Sequence, residues 1–225
     1  MSRSRRPHRA RRVRLKTWDL ERRILAAWKD ATTGESIAGR DWYQLAHDEC
    51  LRIAQESGQS VSTVAGVVAA ISPGLRWSRN IFWARELVIA WPEGRAEELL
   101  VPTYSKGNTA KAVRILAGES PESVLRGPKV TAFYRLIRDR GANELDVCVD
   151  GHAYALATGW GGAIRSDPYS DAHDPTKTVR ISKPELRRVT QAYIRLARKL
   201  VVYPNVLQAT TWLVRKRWRE EGEIV

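Results

Sequence analysis

Apolar residues return every three or four positions along most of this chain, the spacing that keeps them on one face of an α-helix. Leu20, Ile24, Leu25 and Trp28 predict a helix over 18–30, and Tyr43, Ala46, Cys50, Ile53 and Ala54 predict another over 41–55. Over 61–71, Val64, Val67, Val68 and Ile71 leave almost no polar face, so that helix belongs at the centre, with Ser60 or Ser62 as its cap. Ser72-Pro73-Gly74 interrupts it, and Trp77, Ile81, Ala84, Val88 and Trp91 then form one stripe that Pro92 ends. Further helices are expected over 106–117, from Pro121 as a first-turn residue, and from Val130 through Phe133, Tyr134 and Ile137. Three more follow: one opening at Asp150, one after the Ser182/Glu185 capping-box pair with Val189, Tyr193, Leu196 and Leu200 buried, and one from Pro204. In the last, Val206, Ala209, Leu213 and Val214 point inward, and Trp212, Arg215, Lys216 and Arg219 form an outer basic face that is either a DNA flank or a wet surface. Period-two alternation is rare, so the fold class is all-α.

Charge changes the picture from a helical domain to one with a polyanionic partner. The 225 residues carry a formal charge of +13. Residues 1–16 hold Arg3, Arg5, Arg6, Arg9, Arg11, Arg12, Arg14 and Lys16 with no acid, and are expected to form a disordered basic tail ahead of a helical domain over 17–225. Such a tail either adds salt-dependent affinity for DNA through counterion release or is a solvated extension. Cys50 and Cys148 form no CxxC pair, which argues against a disulfide framework and against a zinc or iron–sulfur site. No apolar run reaches the length of a membrane helix, so a cytoplasmic monomer is expected, nucleoid-associated or in the host cytoplasm if viral.

Residues 125–159 concentrate the chemistry. Gly127-Pro128 makes a tight turn into a helix, Lys129 follows at once, and Val147-Cys148-Val149 leads to Asp150 in a Val-Asp-Gly-His string. Asp150 is a plausible N-cap, at a helix mouth where backbone dipoles favour an anion. The order of these features resembles the helix-hairpin-helix DNA glycosylases of the endonuclease III type. In that family the hairpin reads Leu-Pro-Gly-Val-Gly-Arg-Lys-Thr-Ala and the acid lies in Val-Asp-Thr-His; here the strings are Leu-Arg-Gly-Pro-Lys-Val-Thr-Ala and Val-Asp-Gly-His, with the hairpin two residues shorter. Ile71-Ser72-Pro73 through Asn80 is similar to the family's Leu-Ser-Ala-Gln to Asn segment, and 107–112 to its Tyr-Asn-Ser-Lys-Ala segment. The likeness spans roughly 60–160, in order. The cysteine-held cluster of many endonuclease III relatives is absent.

The resemblance implies a two-lobed fold and a reaction. Breaking an N-glycosidic bond puts positive charge on the deoxyribose, and a carboxylate beside the sugar stabilises that state and activates water. Asp150 is the position the family uses; read without the resemblance, it is a helix cap. Lys129 matches the lysine that attacks the sugar carbon in strand-cleaving members, chemistry that needs an unprotonated amine, or else it is a phosphate contact. Pro128 lacks an N–H, so this hairpin offers a phosphate one donor fewer. The DNA-contacting residues implied are Arg76, Trp77, Asn80, Lys106, Asn108, Lys111, Arg126, Gly127, Pro128 and His152, the last of which reads equally as a structural histidine. Base flipping needs stacking surfaces, for which Trp77 and Trp160 are the candidates.

Three readings follow. The chain is a DNA glycosylase acting on a modified or damaged base, with or without strand cleavage. It is otherwise a transferase that elaborates bases in DNA, as some phage enzymes on the same fold do, or a non-catalytic DNA-binding protein. No cofactor or metal is expected; Asp167, Asp171, His173 and Asp174 in the Gly- and Pro-rich loop over 160–180 lack a recognised ligand spacing.

Overall fold

The computed structural model describes residues 16–103, 105–160 and 182–221, and among them every regular element is helical, with no strand. Residues 1–15 of the expected basic tail, and residues 161–181, where all but the first residue of the loop expected over 160–180 falls, lie outside the described residues, while Lys16 precedes the first helix as its N-cap. In chain order the helices are α1 (Thr17–Lys29), α2 (Thr33–Ser57), α3 (Val61–Ile71), α4 (Trp77–Ala90), α5 (Lys106–Leu116), α6 (Pro121–Val124), α7 (Pro128–Arg138), α8 (Gly151–Thr158), α9 (Lys183–Leu200) and α10 (Pro204–Glu220). No helix among the described residues is long and apolar enough to cross a membrane.

Two apolar cores organise them. Helix α3 is the axis of the first: every residue from Val64 to Ile71 is buried, and α2, α4, α5 and α7 pack around it. Ser60 caps it, accepting a hydrogen bond from the Thr63 amide at 3.0 Å. The second core joins α1 to the C-terminal helices α8, α9 and α10, through Leu20 and Ile24 against Tyr154, Tyr193, Leu207 and Val214. The chain therefore begins in one core, builds the other, and returns.

Helix α2 begins eight residues before the 41–55 stretch that apolar spacing predicts. Its start is set by a capping box: Thr32 Oγ1 accepts from the Glu35 amide at 3.2 Å, and Glu35 Oε2 accepts from the Thr32 amide at 2.9 Å. The early turns carry no apolar stripe because they pack by backbone closeness. Gly39 lies against Thr210 of α10, where a β-carbon would come within 2.7 Å of the Thr210 main chain. This crossing joins the two cores, and Asn205 Nδ2, donating to the Gly141 carbonyl at 2.5 Å, ties them again.

Helix α10 leaves Lys216 and Arg219 exposed as expected but corrects the outward placement of Arg215. Arg215 is buried at 7% exposure, whereas Val206 and Leu213, expected inward, are only half-buried. Beside the buried Leu207, Ala209 and Val214 runs a buried polar stripe of Gln208, Thr211 and Arg215, one turn apart, which interior tyrosines reach: Tyr43 Oη donates to Gln208 Oε1 at 3.5 Å, and Tyr193 Oη lies 3.4 Å from Thr211 Oγ1.

Candidate functional site

Segment 147–150 runs between the cores. Val147 and Val149 turn into the second, Cys148 into the first, and Asp150 emerges where they meet. There Asp150 caps α8, its Oδ1 accepting from the Ala153 amide at 2.8 Å while the carboxylate stays half-buried. Capping satisfies one of the amides that a helix start leaves without an internal partner, so the acid is held by the fold whatever its chemical role.

The turn before α7 brings Lys129 to the same place. Gly127 adopts φ +96° and ψ 139°, a conformation open to glycine and strained for residues with a β-carbon, and this turn sets Pro128 as the first residue of α7. Lys129 is then in the first turn, and its carbonyl lies 3.8 Å from Cys148 Sγ. Burial pushes the Cys148 thiol up to about 12, with the Lys129 charge lowering it and the Asp150 charge raising it. Both charges thus act on one atom. Burial also raises Tyr43 and Tyr193, and Asp150 pushes each further up.

His152, in the first turn of α8, contacts α10. Its Nδ1 lies 3.0 Å from Arg215 Nη1, and its ring meets Trp212 edge-on at 6.0 Å, with Lys216 Nζ over the Trp212 ring at 5.1 Å. Burial lowers the imidazole below its ordinary value; Asp150 opposes the shift, and Arg215, Arg219 and Lys129 reinforce it. Arg215 itself is pushed down by burial and by Arg219, with Asp150 and Tyr193 opposing the shift. The junction thus gathers Asp150, Lys129, His152, Arg215, Tyr43 and Tyr193. Sequence reading missed Arg215 as a member of the site.

The other sequence candidates disperse. Arg126, Gly127 and Pro128 are exposed at the α6–α7 turn, and Lys106 is exposed with Lys111 half-buried on α5. Arg76 is exposed at the start of α4. Trp77 packs into an aromatic cluster, 5.1 Å from Trp42 and 6.4 Å from Phe133 between ring centres, and borders a groove of about 280 Å³ with Leu45, Asp48 and Arg52. That groove lies away from Asp150, as does a wider one of about 420 Å³ at Ile37 and Val201. Asn80 and Asn108, expected as DNA contacts, are instead buried at 2% and 8% exposure. Asn108 serves the fold: its Nδ2 donates to Thr103 Oγ1 at 3.0 Å, and Thr103 donates to the Pro73 carbonyl at 2.9 Å, fixing the start of α5 to the loop after α3. Trp160 is half-buried, and its amide closes the end of α8 on the Ala155 carbonyl at 3.1 Å. The possible ligands Asp167, Asp171, His173 and Asp174 lie outside the described residues; among those described, no group of acid, histidine and cysteine side chains forms a metal site.

These features define an all-helical protein with a polar junction between two cores. Residues 8–221 match a family of unknown function, DUF7178, and the chain belongs to it. No curated protein and no solved structure matches the chain.

Proposed function

We propose that this chain is a DNA glycosylase-like enzyme of the helix-hairpin-helix type, cleaving the N-glycosidic bond of a modified or damaged base. The observation that carries the reading is the approach of Lys129 to the Asp150 segment, made through Cys148 at the meeting of the cores. In support, α6 and α7 are helices joined by a tight turn at Gly127, and α1 packs with the C-terminal helices in a core separate from that around α3, an arrangement compatible with two lobes. The +13 charge fits a DNA partner, approached by the chain as a monomer.

In this mechanism the C1′–N bond breaks, its electron pair leaves with the base, and the sugar carries the positive charge. Asp150 stabilises that charge through the carboxylate oxygen not engaged by the Ala153 amide, and accepts a proton from the water that adds to C1′. The products are a free base and an abasic site. Should Lys129 attack C1′ in place of water, the result is an imine and strand cleavage. Incubation with duplexes bearing uracil, 5-hydroxymethyluracil, oxidised or alkylated bases, then alkali and a gel, tests the reading. Scission at one modified base supports it. Intact strands with every base overturn it, and mass spectrometry of those strands separates a transferase, which adds mass, from a DNA-binding protein, which does not.

A further inference from the structure

Among the described residues, Arg215 is a buried arginine with no carboxylate at ion-pair distance, although the Asp150 charge acts on it from farther off. Its neighbours along α10 and elsewhere show what the fold does with structural arginines. Arg217 donates to Glu35 at 3.0 Å and to Asp30 at 2.7 Å, and Arg195 donates to Glu21 at 2.9 Å. Both are more exposed than Arg215, and both have carboxylates. Arg215 has an imidazole: its Nη1 lies 3.0 Å from His152 Nδ1. A guanidinium holds only donors, so Nδ1 must supply a lone pair, which leaves His152 neutral with its proton on Nε2. The bond fixes direction and compensates no charge.

Around this pair the balance of charge is positive. Among the described residues, the charges acting most on His152 are those of Lys129, Arg215 and Arg219, opposed by the carboxylate of Asp150. The Trp212 ring, edge-on to His152 and beneath Lys216, braces the imidazole and hence the guanidinium. A planar fork of donors, held rigidly and short of negative charge, suits an oxyanion that takes two hydrogen bonds at once. The α7 start is a poorer anion ligand, since Pro128 brings no amide there.

We infer that Arg215, oriented by His152, is the seat of a backbone phosphate of the DNA strand bound beside Asp150. This rests on the function proposed above and adds the contact that registers the strand against the acid. A phosphate held there neutralises the excess charge and places the adjoining sugar at the border of the lobes.

Two measurements on the full chain test the seat. In the first, DNA affinity is followed by fluorescence anisotropy over a salt series for the wild type, Arg215→Gln and Arg215→Lys, with thermal melts to establish that each folds. Loss of one phosphate contact lowers the slope of log affinity against log salt by about 0.9. That drop is expected in Arg215→Gln, whereas Arg215→Lys retains the slope and loses affinity about tenfold with the fork. In the second, orthophosphate is titrated while the His152 ring nitrogens are followed by ¹⁵N NMR; the signals move in the wild type and stay fixed in Arg215→Gln. An unchanged slope in folded Arg215→Gln, or His152 signals indifferent to orthophosphate in the wild type, overturns the seat. If Arg215→Gln does not fold, the tenfold loss in Arg215→Lys decides, and its absence overturns the seat. A wild type that binds no DNA defeats the proposed function, and the orthophosphate titration then decides the seat alone.

Discussion

Cys148 Sγ rests 3.8 Å from the carbonyl oxygen of Lys129, so the short segment that ends in Asp150 is tied to the first turn of α7. The contact is made inside the first core, where Cys148 is 6% exposed, and burial holds its thiol up at about 12. Cys50, fully buried in the same core, is held at about 12 for the same reason. Because only the thiolate attacks disulfides and alkylating agents, both cysteines should be silent to a disulfide reagent at pH 8 in the native chain and react in urea. Rapid labelling of the folded protein would mean that the core opens around Lys129.

Under the proposed function Asp150 does two jobs, capping and catalysis, that substitutions can separate. Asn caps helices about as well as Asp, so Asp150→Asn should leave stability within about 0.5 kcal/mol. Excision should fall at least about 100-fold, as when one stabilising group is removed from a charged transition state. Asp150→Ala loses the bond to the Ala153 amide as well and should cost about 1 kcal/mol. Urea melts and single-turnover rates measure the two effects; excision by Asp150→Asn at the wild-type rate would place the acid elsewhere.

Much of this arrangement was legible in the sequence, and the exceptions have physical causes. The bounds of α3, the breaks at Pro73 and Pro92, and the capping by Asp150 follow from local chemistry, since spacing, proline and short polar side chains act within one or two turns. The start of α2 did not, because Gly34 and Gly39 interrupt any apolar stripe and the closeness of Thr210 is a long-range fact. Arg215 was hidden for a similar reason. A stripe of Gln208, Thr211 and Arg215 has the hydropathy of a solvated face, and the groups that receive it, Tyr43, Tyr193 and His152, come from three other helices. Val147-Cys148-Val149 reads as one apolar run, yet its alternate side chains enter different cores, and that division puts Asp150 at their border.

Gly39→Ala tests whether the crossing of α2 and α10 is as tight as the structure has it. In an isolated helix the change would stabilise by roughly 0.5–1 kcal/mol. Here the new methyl meets the Thr210 main chain at 2.7 Å, which side-chain rotation cannot relieve. Overpacking of this kind costs about 1–3 kcal/mol, so the net effect should be destabilising by about 1–2 kcal/mol. A urea midpoint that rises would show that the two helices sit farther apart.

Acid should loosen the junction through His152. Burial, reinforced by the nearby cations, lowers its folded value below the 6.5 of the free side chain, so the fold favours the neutral ring. The stability this contributes is fully present above pH 6.5 and is lost as pH falls through the lowered folded value. Protonation also takes the Nδ1 lone pair that Arg215 needs. Glu21 and Glu35, lowered from 4.5 by the net effect of their arginine and lysine partners over burial, titrate below this window. Between pH 7 and 5 the urea midpoint of the wild type should therefore drop, and that of His152→Gln should drop less. Equal slopes would remove the Arg215–His152 bond from the account.

Under the proposed function, Lys129 would decide whether base removal is followed by strand cleavage. Its backbone is fixed by the Gly127 turn and by the contact with Cys148, so its side chain starts from a held position in the first turn of α7. If the amine attacks C1′ of an abasic sugar, the opened aldehyde and the amine lose water to give an imine, which borohydride reduces to a permanent cross-link. With an abasic-site duplex and borohydride, the wild type should yield a covalent adduct on a denaturing gel, and Lys129→Ala should yield none while still binding the duplex. A phosphate contact behaves differently: no adduct forms with either protein, and Lys129→Ala lowers the salt slope of binding by about 0.9. An adduct that persists in Lys129→Ala would assign the nucleophile to another amine and leave Lys129 as the residue that holds the Asp150 segment in place.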